Sequence, residues 1–271
     1  MSRIDTTFRR LRKSGEIALI PYLTVGYPTL DITRQLLPVI GRQGADLIEL
    51  GIPFSDPLAD GATVQRAYHA ALENGVTVAD CLSVAADARR SNEVPLLFMS
   101  YYNPIHTYGL KRFATDCAQA GIDGLIIPDL PPEEAAPIKA ECTSVGIDLI
   151  FLLAPTSTDD RIKMVAELAS GFIYCVSLTG VTGARHDLGE AAGNLVARVR
   201  QHTDLPLVVG FGIGTPEQVA QVARIADGAV VGSALINLLE SHPADEPMEI
   251  MMEAADYIRS LKEATTLQPT P

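Results

Sequence analysis

Residues 47–61 of the 271-residue chain read Leu-Ile-Glu-Leu-Gly-Ile-Pro-Phe-Ser-Asp-Pro-Leu-Ala-Asp-Gly, which sets Glu49 inside an apolar run and Asp60 in the Pro/Gly/Asp-rich loop after it. A carboxylate among Leu47, Ile48, Leu50 and Ile52 is costly to bury. It persists only if it is paired, hydrogen-bonded, neutral or used. Burial also lifts its pKa toward general acid/base range. Purely structural readings exist for both residues. An acidic residue in a strand is often a satisfied partner, and Asp56 and Asp60 stand where turn chemistry places Asp anyway.

Other candidates fall near the ends of further apolar runs: Tyr22, Tyr101-Tyr102-Asn103, Asp129 and Tyr174. Asp129, just before Pro131-Pro132, also reads as the cap of the next helix. Glycine-rich signals come late in the chain, at Thr179-Gly180-Val181-Thr182-Gly183-Ala184, Gly210-Phe211-Gly212-Ile213-Gly214 and Gly232-Ser233-Ala234. Small residues let backbone N–H groups approach a phosphate closely, and a helix starting after Gly232 adds its dipole. Gly-x-Gly-x-Gly this late is not a dinucleotide fingerprint, which follows a first strand. Thr215-Pro216-Glu217-Gln218 reads instead as a capping box. Together these segments predict a site for a small phosphorylated molecule.

The elements that must position these residues recur as one unit: a helical stretch, a Gly or Asp turn, then a short apolar run. The pattern predicts strands at 17–25, 46–52, 95–101, 124–129, 148–155, 172–177, 206–213 and 228–235. Helical patterns fall at 31–42, 77–90, 107–120, 132–145, 159–169, 189–202, 216–225 and 246–262. Apolar strands alternating with helices predict parallel strands buried on both faces. Closing eight such units gives an α/β fold, a (β/α)8 TIM barrel, with an extra N-terminal helix. An open doubly wound sheet is the alternative, but no linker or composition break divides the chain, so residues 1–271 read as one domain. The turns Gly44-Ala45-Asp46, Gly121-Ile122-Asp123, Gly146-Ile147-Asp148 and Ala226-Asp227-Gly228 resemble one another, with Gly suited to a left-handed helix cap. Residues 1–14 read as an amphipathic helix, with Ile4, Phe8 and Leu11 capping something apolar and a membrane-surface role as the alternative. Residues 263–271 read as a frayed tail. In a barrel of this kind chemistry sits at the C-terminal strand ends, where the unusual residues collect.

Composition narrows the function. The formal net charge of −12 argues against a nucleic-acid binder, while 47% apolar residues suffice for a large core. Four cysteines, Cys81, Cys117, Cys142 and Cys175, are widely spaced and read as buried thiols of a reducing compartment. Five scattered histidines give no metal-ligand spacing, so no metal is expected. No stretch has the length of a membrane span or the pattern of a secretory signal, and the expected location is the cytoplasm.

The segment around Glu49 and Asp60 closely resembles the signature of the tryptophan synthase α subunit family. The resemblance continues through Pro21-Tyr22-Leu23-Thr24-Val25-Gly26-Tyr27-Pro28, Tyr101-Tyr102-Asn103-Pro104-Ile105 and Pro128-Asp129-Leu130-Pro131. It extends to Leu152-Leu153-Ala154-Pro155-Thr156, Ser177-Leu178-Thr179-Gly180-Val181-Thr182-Gly183, Gly210-Phe211-Gly212-Ile213 and Val231-Gly232-Ser233-Ala234, nearly the whole chain. It implies a lyase of tryptophan biosynthesis that splits indole-3-glycerol phosphate into indole and glyceraldehyde 3-phosphate by a retro-aldol reaction. The family's catalytic residues fall on Glu49 and Asp60. The resemblance implies substrate contacts at Tyr22, Tyr101, Asp129, Tyr174, Thr182 and Phe211, and phosphate contacts at Gly183, Gly212, Gly232 and Ser233. Loops 53–60 and 179–193 match segments that close over substrate. It further implies an α2β2 tetramer with a β subunit that carries pyridoxal phosphate, with no cofactor in this chain.

Two carboxylates suffice for that reaction if Glu49 stays protonated in its apolar strand and Asp60 is ionised in a polar loop. Three other readings compete. A Schiff-base aldolase needs a lysine at a strand end, and none of the predicted strands contains one. A non-catalytic binding barrel would tolerate loss of Glu49 or Asp60, and both are present. A stand-alone lyase independent of a β subunit is not separated by these residues.

Overall fold

The computed structural model describes residues 2–176, 188–210 and 212–266, with Leu188 and Gly189 placed by backbone alone. The repeated unit resolves into parallel strands β1 (Ala18–Thr24), β2 (Ile48–Gly51), β3 (Leu96–Met99), β4 (Gly124–Ile126), β5 (Asp148–Leu153), β6 (Ile173–Val176), β7 (Leu207–Gly210) and β8 (Gly228–Val231). They close in sequence order, β8 pairing with β1, so the barrel replaces the open-sheet alternative. Each strand is shorter than its apolar run predicts. Past the ladders of β1, β2 and β3 the chain stays buried at Val25, Ile52 and Ser100, whose N–H groups donate to the carbonyls of Gly51, Met99 and Ile126.

Around the barrel lie α1 (Arg3–Ser14), α2 (Leu30–Arg42), α3 (Ala62–Glu73), α4 (Val78–Arg89), α5 (Tyr102–Tyr108), α6 (Leu110–Gln119), α7 (Ala136–Val145), α8 (Asp159–Leu168), α9 (Leu188–Arg200), α10 (Pro216–Val222), α11 (Ser233–Glu240) and α12 (Pro247–Glu263). Among the described residues no helix is long and apolar enough to cross a membrane. Three departures from the sequence reading have local causes. Helix α3, unpredicted, buries Val64, Ala67, Tyr68 and Ala71, a helical spacing that the preceding loop signal masked. The single helix predicted at 107–120 is two, because Gly109 at φ +95° ends α5 and starts α6. Residues 263–266 are not frayed: Thr265 is buried, its carbonyl accepts from Ile17 N–H at 3.1 Å, and Thr266 bridges Glu16.

Two apolar layers result. Between strands and helices lies one cluster, and inside the barrel a second, which includes Ile20, Leu97, Ile126, Ile150, Phe172 and Val208. Helix α1 adds Ile4, Phe8 and Leu11 to the inner cluster, with Phe8 and Phe172 rings 5.9 Å apart. It therefore plugs the N-terminal end.

The Asp of the repeated turn explains how that end is tied. Asp46 Oδ2 accepts Leu19 N–H at 3.1 Å, Asp123 Oδ2 accepts Leu96 N–H at 2.9 Å and Asp227 Oδ2 accepts Leu207 N–H at 2.8 Å. Each carboxylate thus caps the strand before its own in the barrel. The same three pair with α1, through Arg10 on Asp46 at 2.6 Å, Arg3 on Asp123 at 3.0 Å and Arg12 on Asp227 at 4.0 Å. Arg89 also reaches Asp123 at 2.7 Å and donates to the carbonyls of Gly121, Asn92 and Val94.

Truncating Asp123 to Ala takes the carboxylate from the part-buried Arg89 and the acceptor from the buried Leu96 N–H, and the expected loss of stability is about 3 kcal/mol. Glu93→Ala removes only the exposed arm of Arg3, and costs under about 1 kcal/mol. Urea unfolding midpoints of the two variants check the contrast.

Candidate functional site

Strand β2 is four residues long and buried throughout, so its alternation decides which side chains enter the barrel. Glu49 stands in register with Tyr22 of β1 on one side and Leu97 of β3 on the other, both members of the inner cluster. It is 1% exposed, and its Oε2 has no hydrogen-bond partner among the described residues. Burial first, and then the nearby Asp60 charge, push its pKa up to about 8. At neutral pH this carboxyl is largely protonated.

Asp60, read from the sequence as ionised in a polar loop, is half-buried. Burial raises its pKa to about 6, while a hydrogen bond from Tyr101 opposes the shift. The Tyr101 hydroxyl donates to Asp60 Oδ2 at 2.7 Å and accepts Ala59 N–H at 2.9 Å, and its ring packs on Phe54 at 5.2 Å. One buried phenol at the end of β3 therefore clamps the loop that carries Asp60. The two carboxyls are held in different states, Glu49 protonated and Asp60 ionised, by environment alone.

A cavity of about 230 Å³ opens at the C-terminal end of the barrel, with both carboxyls on its wall. Tyr22, Met99, Ile126, Leu152, Tyr174 and Val230 make it largely apolar, and Gly212, Gly232 and Ser233 form a small-residue corner. Gly212 has φ +78°, a conformation that favours glycine, and Gly232 precedes the first residue of α11. Thr215 and Gln218 form the expected capping box at the start of α10.

The three glycines of 210–214 have three separate reasons. A Cβ on Gly210 would collide with the Tyr174 hydroxyl and lie 2.7 Å from its Cζ, so Gly210 makes room for a ring. One on Gly214 would lie 2.8 Å from Ala234 Cβ. Only Gly212 faces the cavity.

Of the residues singled out by sequence, Glu49, Asp60, Tyr22, Tyr174, Gly212, Gly232 and Ser233 meet on this wall. Tyr101 stands behind Asp60 and spends its hydroxyl on the loop. Asp129 is absent from the wall, where Pro128 stands instead. Its carboxylate accepts Tyr102 N–H at 2.9 Å, which caps α5 and not the helix after Pro131-Pro132. Thr182, Gly183 and Phe211, and residues 179–187 of the second proposed closing loop, lie outside the described residues. The sequence reading missed Met99, Ile126, Leu152 and Val230. Their signal was available as period-2 alternation with the inward residues of the same strands, but all are ordinary apolar types.

Among the described residues no three His, Cys, Asp or Glu side chains converge as metal ligands. The thiols of Cys81, Cys117, Cys142 and Cys175 are buried, and burial raises the pKa of each, so none is a poised nucleophile.

Comparison with known proteins places this architecture. The profile of the tryptophan synthase alpha chain family matches residues 8–266. The tryptophan synthase alpha chain of Chloroflexus aggregans is 56% identical over 266 residues, covering 98% of both chains. That of Roseiflexus castenholzii is 55% identical, covering 97% of this chain and all of its relative. Among solved structures, Mycobacterium tuberculosis tryptophan synthase superposes with a TM-score of 0.90 at 38% identity, covering 98% of this chain and 99% of the other. Tryptophan synthase subunit alpha from Legionella pneumophila gives 0.89 at 37% identity, covering 98% of each. With the match spanning barrel, rim and cavity alike, the chain belongs to the tryptophan synthase alpha chain family.

Proposed function

We propose that this chain cleaves indole-3-glycerol phosphate into indole and glyceraldehyde 3-phosphate, the lyase step of tryptophan biosynthesis assigned to its family. The observation that carries the reading is the pair of carboxyls on one apolar cavity wall, one pushed up to about 8 by burial and the other to about 6. Breaking the bond between indole C3 and the side chain requires an electron sink in the ring and loss of a proton from the side-chain hydroxyl.

Protonated Glu49 supplies a proton to C3, which converts the ring to an indolium that accepts the bonding pair. The resulting Glu49 carboxylate takes the proton of the hydroxyl on the departing carbon as that carbon becomes an aldehyde. Glu49 then ends the cycle protonated, as it began, and no external proton is consumed. Asp60, ionised and held by Tyr101, accepts a hydrogen bond from the indole N–H and offsets the positive charge on the ring. Tyr22 and Tyr174 flank the indole. Gly212, Gly232 and Ser233 offer backbone N–H groups and a hydroxyl to the phosphate at the start of α11. Thr182, Gly183 and Phe211 belong to the same proposal as substrate and phosphate contacts, whereas Asp129, off the cavity wall, acts through its cap on α5.

The proposal extends to assembly with a β subunit in an α2β2 tetramer, in the cytoplasm, with pyridoxal phosphate held by the β partner and none by this chain. Two features support it. The product is an apolar molecule that would diffuse away in water, and Leu58, 93% exposed, stands on the loop that carries Asp60. One exposed apolar side chain is ordinary on a protein surface, and what bears on the proposal is its place on the loop that carries Asp60.

Two predictions follow the carboxyl pair. In the free enzyme kcat/KM is expected to be bell-shaped, rising near pH 6 as Asp60 ionises and falling near pH 8 as Glu49 loses its proton. Glu49→Gln and Asp60→Asn each lower kcat by about 10²-fold to 10⁴-fold or more, and Asp60→Asn loses the rising limb. Indole release from indole-3-glycerol phosphate, measured against pH with and without the β subunit, tests both the roles and the partner. A profile flat between pH 5 and 9 refutes the pairing.

The second concerns stability. Between its ordinary value of 4.5 and about 8, the folded Glu49 keeps a proton that the unfolded chain has released. The folded state thus binds more protons, so stability falls as pH rises through that window, by up to about 1.4 kcal/mol per pH unit from this group. Glu49→Gln removes that slope and is expected to be the more stable protein at pH 8. Urea unfolding of both proteins from pH 5 to 8 measures the difference.

A further inference from the structure

Tyr22 spans the cavity wall between the glycine corner and the strand of the proposed acid. Its Cα stands opposite that of Glu49 across the β1–β2 ladder. At the base of the side chain, a Cβ on Gly232 would lie 3.5 Å from Tyr22 Cβ and Cδ1, so the ring starts against the corner. At the far end, a Cβ on Gly51 would collide with the hydroxyl and lie 2.7 Å from Cζ, so the ring runs over Gly51 on β2. Its hydroxyl meets Thr24 Oγ1 at 3.2 Å, and both residues are buried.

Thr24 ends β1, pairs with Gly51, and is not on the cavity wall. Three constraints therefore fix the ring: the β1 backbone, the missing side chain at Gly51, and the Thr24 hydroxyl. Tyr22 and Thr24 also specify each other, because losing either hydroxyl takes from the other the hydrogen bond it makes in a buried site.

We propose that Thr24 is a positioning residue that holds Tyr22 as a spacer between the Gly212, Gly232 and Ser233 corner and the Glu49 carboxyl, so that ligands are selected by the length of chain joining phosphate to ring. The inference rests on the phosphate reading of that corner. A ring tethered at both ends sets one separation, and a chain one methylene too long then misplaces either the phosphate or the indole. Released from Thr24, the ring gains freedom to tilt, and the cavity accommodates both lengths.

The test uses two unreactive indolylalkyl phosphates, with three-carbon and four-carbon chains, titrated calorimetrically into the full-length chain. Wild type is expected to prefer the three-carbon compound by about tenfold or more, the scale of one methylene in a fitted pocket. Thr24→Val is expected to reduce that ratio to about threefold or less, and Thr24→Ser to retain it. The Tyr22→Phe/Thr24→Val double variant orphans neither hydroxyl of that pair, so it reads the ratio where Thr24→Val alone fails to fold, and its ratio should also be low. A merely structural role weakens both compounds equally. An unchanged ratio in Thr24→Val and the double variant overturns the inference while leaving the proposed function intact. A wild-type chain that binds neither phosphate and cleaves no indole-3-glycerol phosphate overturns the function itself.

Discussion

The placement of one carboxyl in the wall of a closed barrel governs the rest of this molecule. Glu49 sits on a four-residue strand between Tyr22 and Leu97, with one oxygen left without a partner among the described residues. Burying a polar group so poorly satisfied opposes folding, and the cost persists in the native state as a raised proton affinity. The surrounding structure must therefore be stable enough to hold it. An apolar shell that would be an ordinary core elsewhere here has the second task of keeping a carboxyl protonated at neutral pH.

A repeated set of strand caps and ion pairs stands at the opposite end of the barrel. Asp46, Asp123 and Asp227 each accept a backbone N–H of the preceding strand and receive an arginine of α1. Their geometry is repeated, so the N-terminal rim is closed by one device used three times, with the inner cluster plugged by Ile4, Phe8 and Leu11. Among the described residues no such repeated device ties the C-terminal rim. There the loop bearing Asp60 is held by the Tyr101 phenol and by Gln65, whose Nε2 donates to the Asp60 carbonyl at 2.8 Å, and leaves Leu58 in solvent. A firm base and a lightly tied mouth suit a site whose contents must enter and leave.

Glycine serves several purposes on that mouth. Gly51 and Gly210 yield space to the rings of Tyr22 and Tyr174, Gly214 lets α11 approach, and Gly212 and Gly232 bare the backbone at the cavity corner. The two tyrosines and the two glycines beneath them form matched pairs: each large residue requires the small one on the next strand. Cavity shape is therefore a property of adjacent strands in register, not of any one segment.

Much of this was legible in the chain itself. The alternation of apolar runs with helical stretches specified eight strands, since only strands buried on both faces read that way, and the anomalous Glu49 was visible because its type contradicts its neighbours. The Gly-x-Asp turns were recognisable as a repeat, though not as strand caps, because an acceptor's partner on another strand leaves no local trace. The same limit applies to Tyr101, whose sequence context suggested a cavity wall but whose hydroxyl is committed to Ala59 and Asp60. It applies to Asp129, which caps α5 from the following unit, and to Thr265, which is buried against Ile17 at the other end of the chain. Met99, Ile126, Leu152 and Val230 carried no chemical signal at all. Residue type and period determine which face a side chain takes, because they act through the local backbone. Which groups meet, and what pKa each then has, depends on register and closure, and those exist only once distant segments have folded against each other.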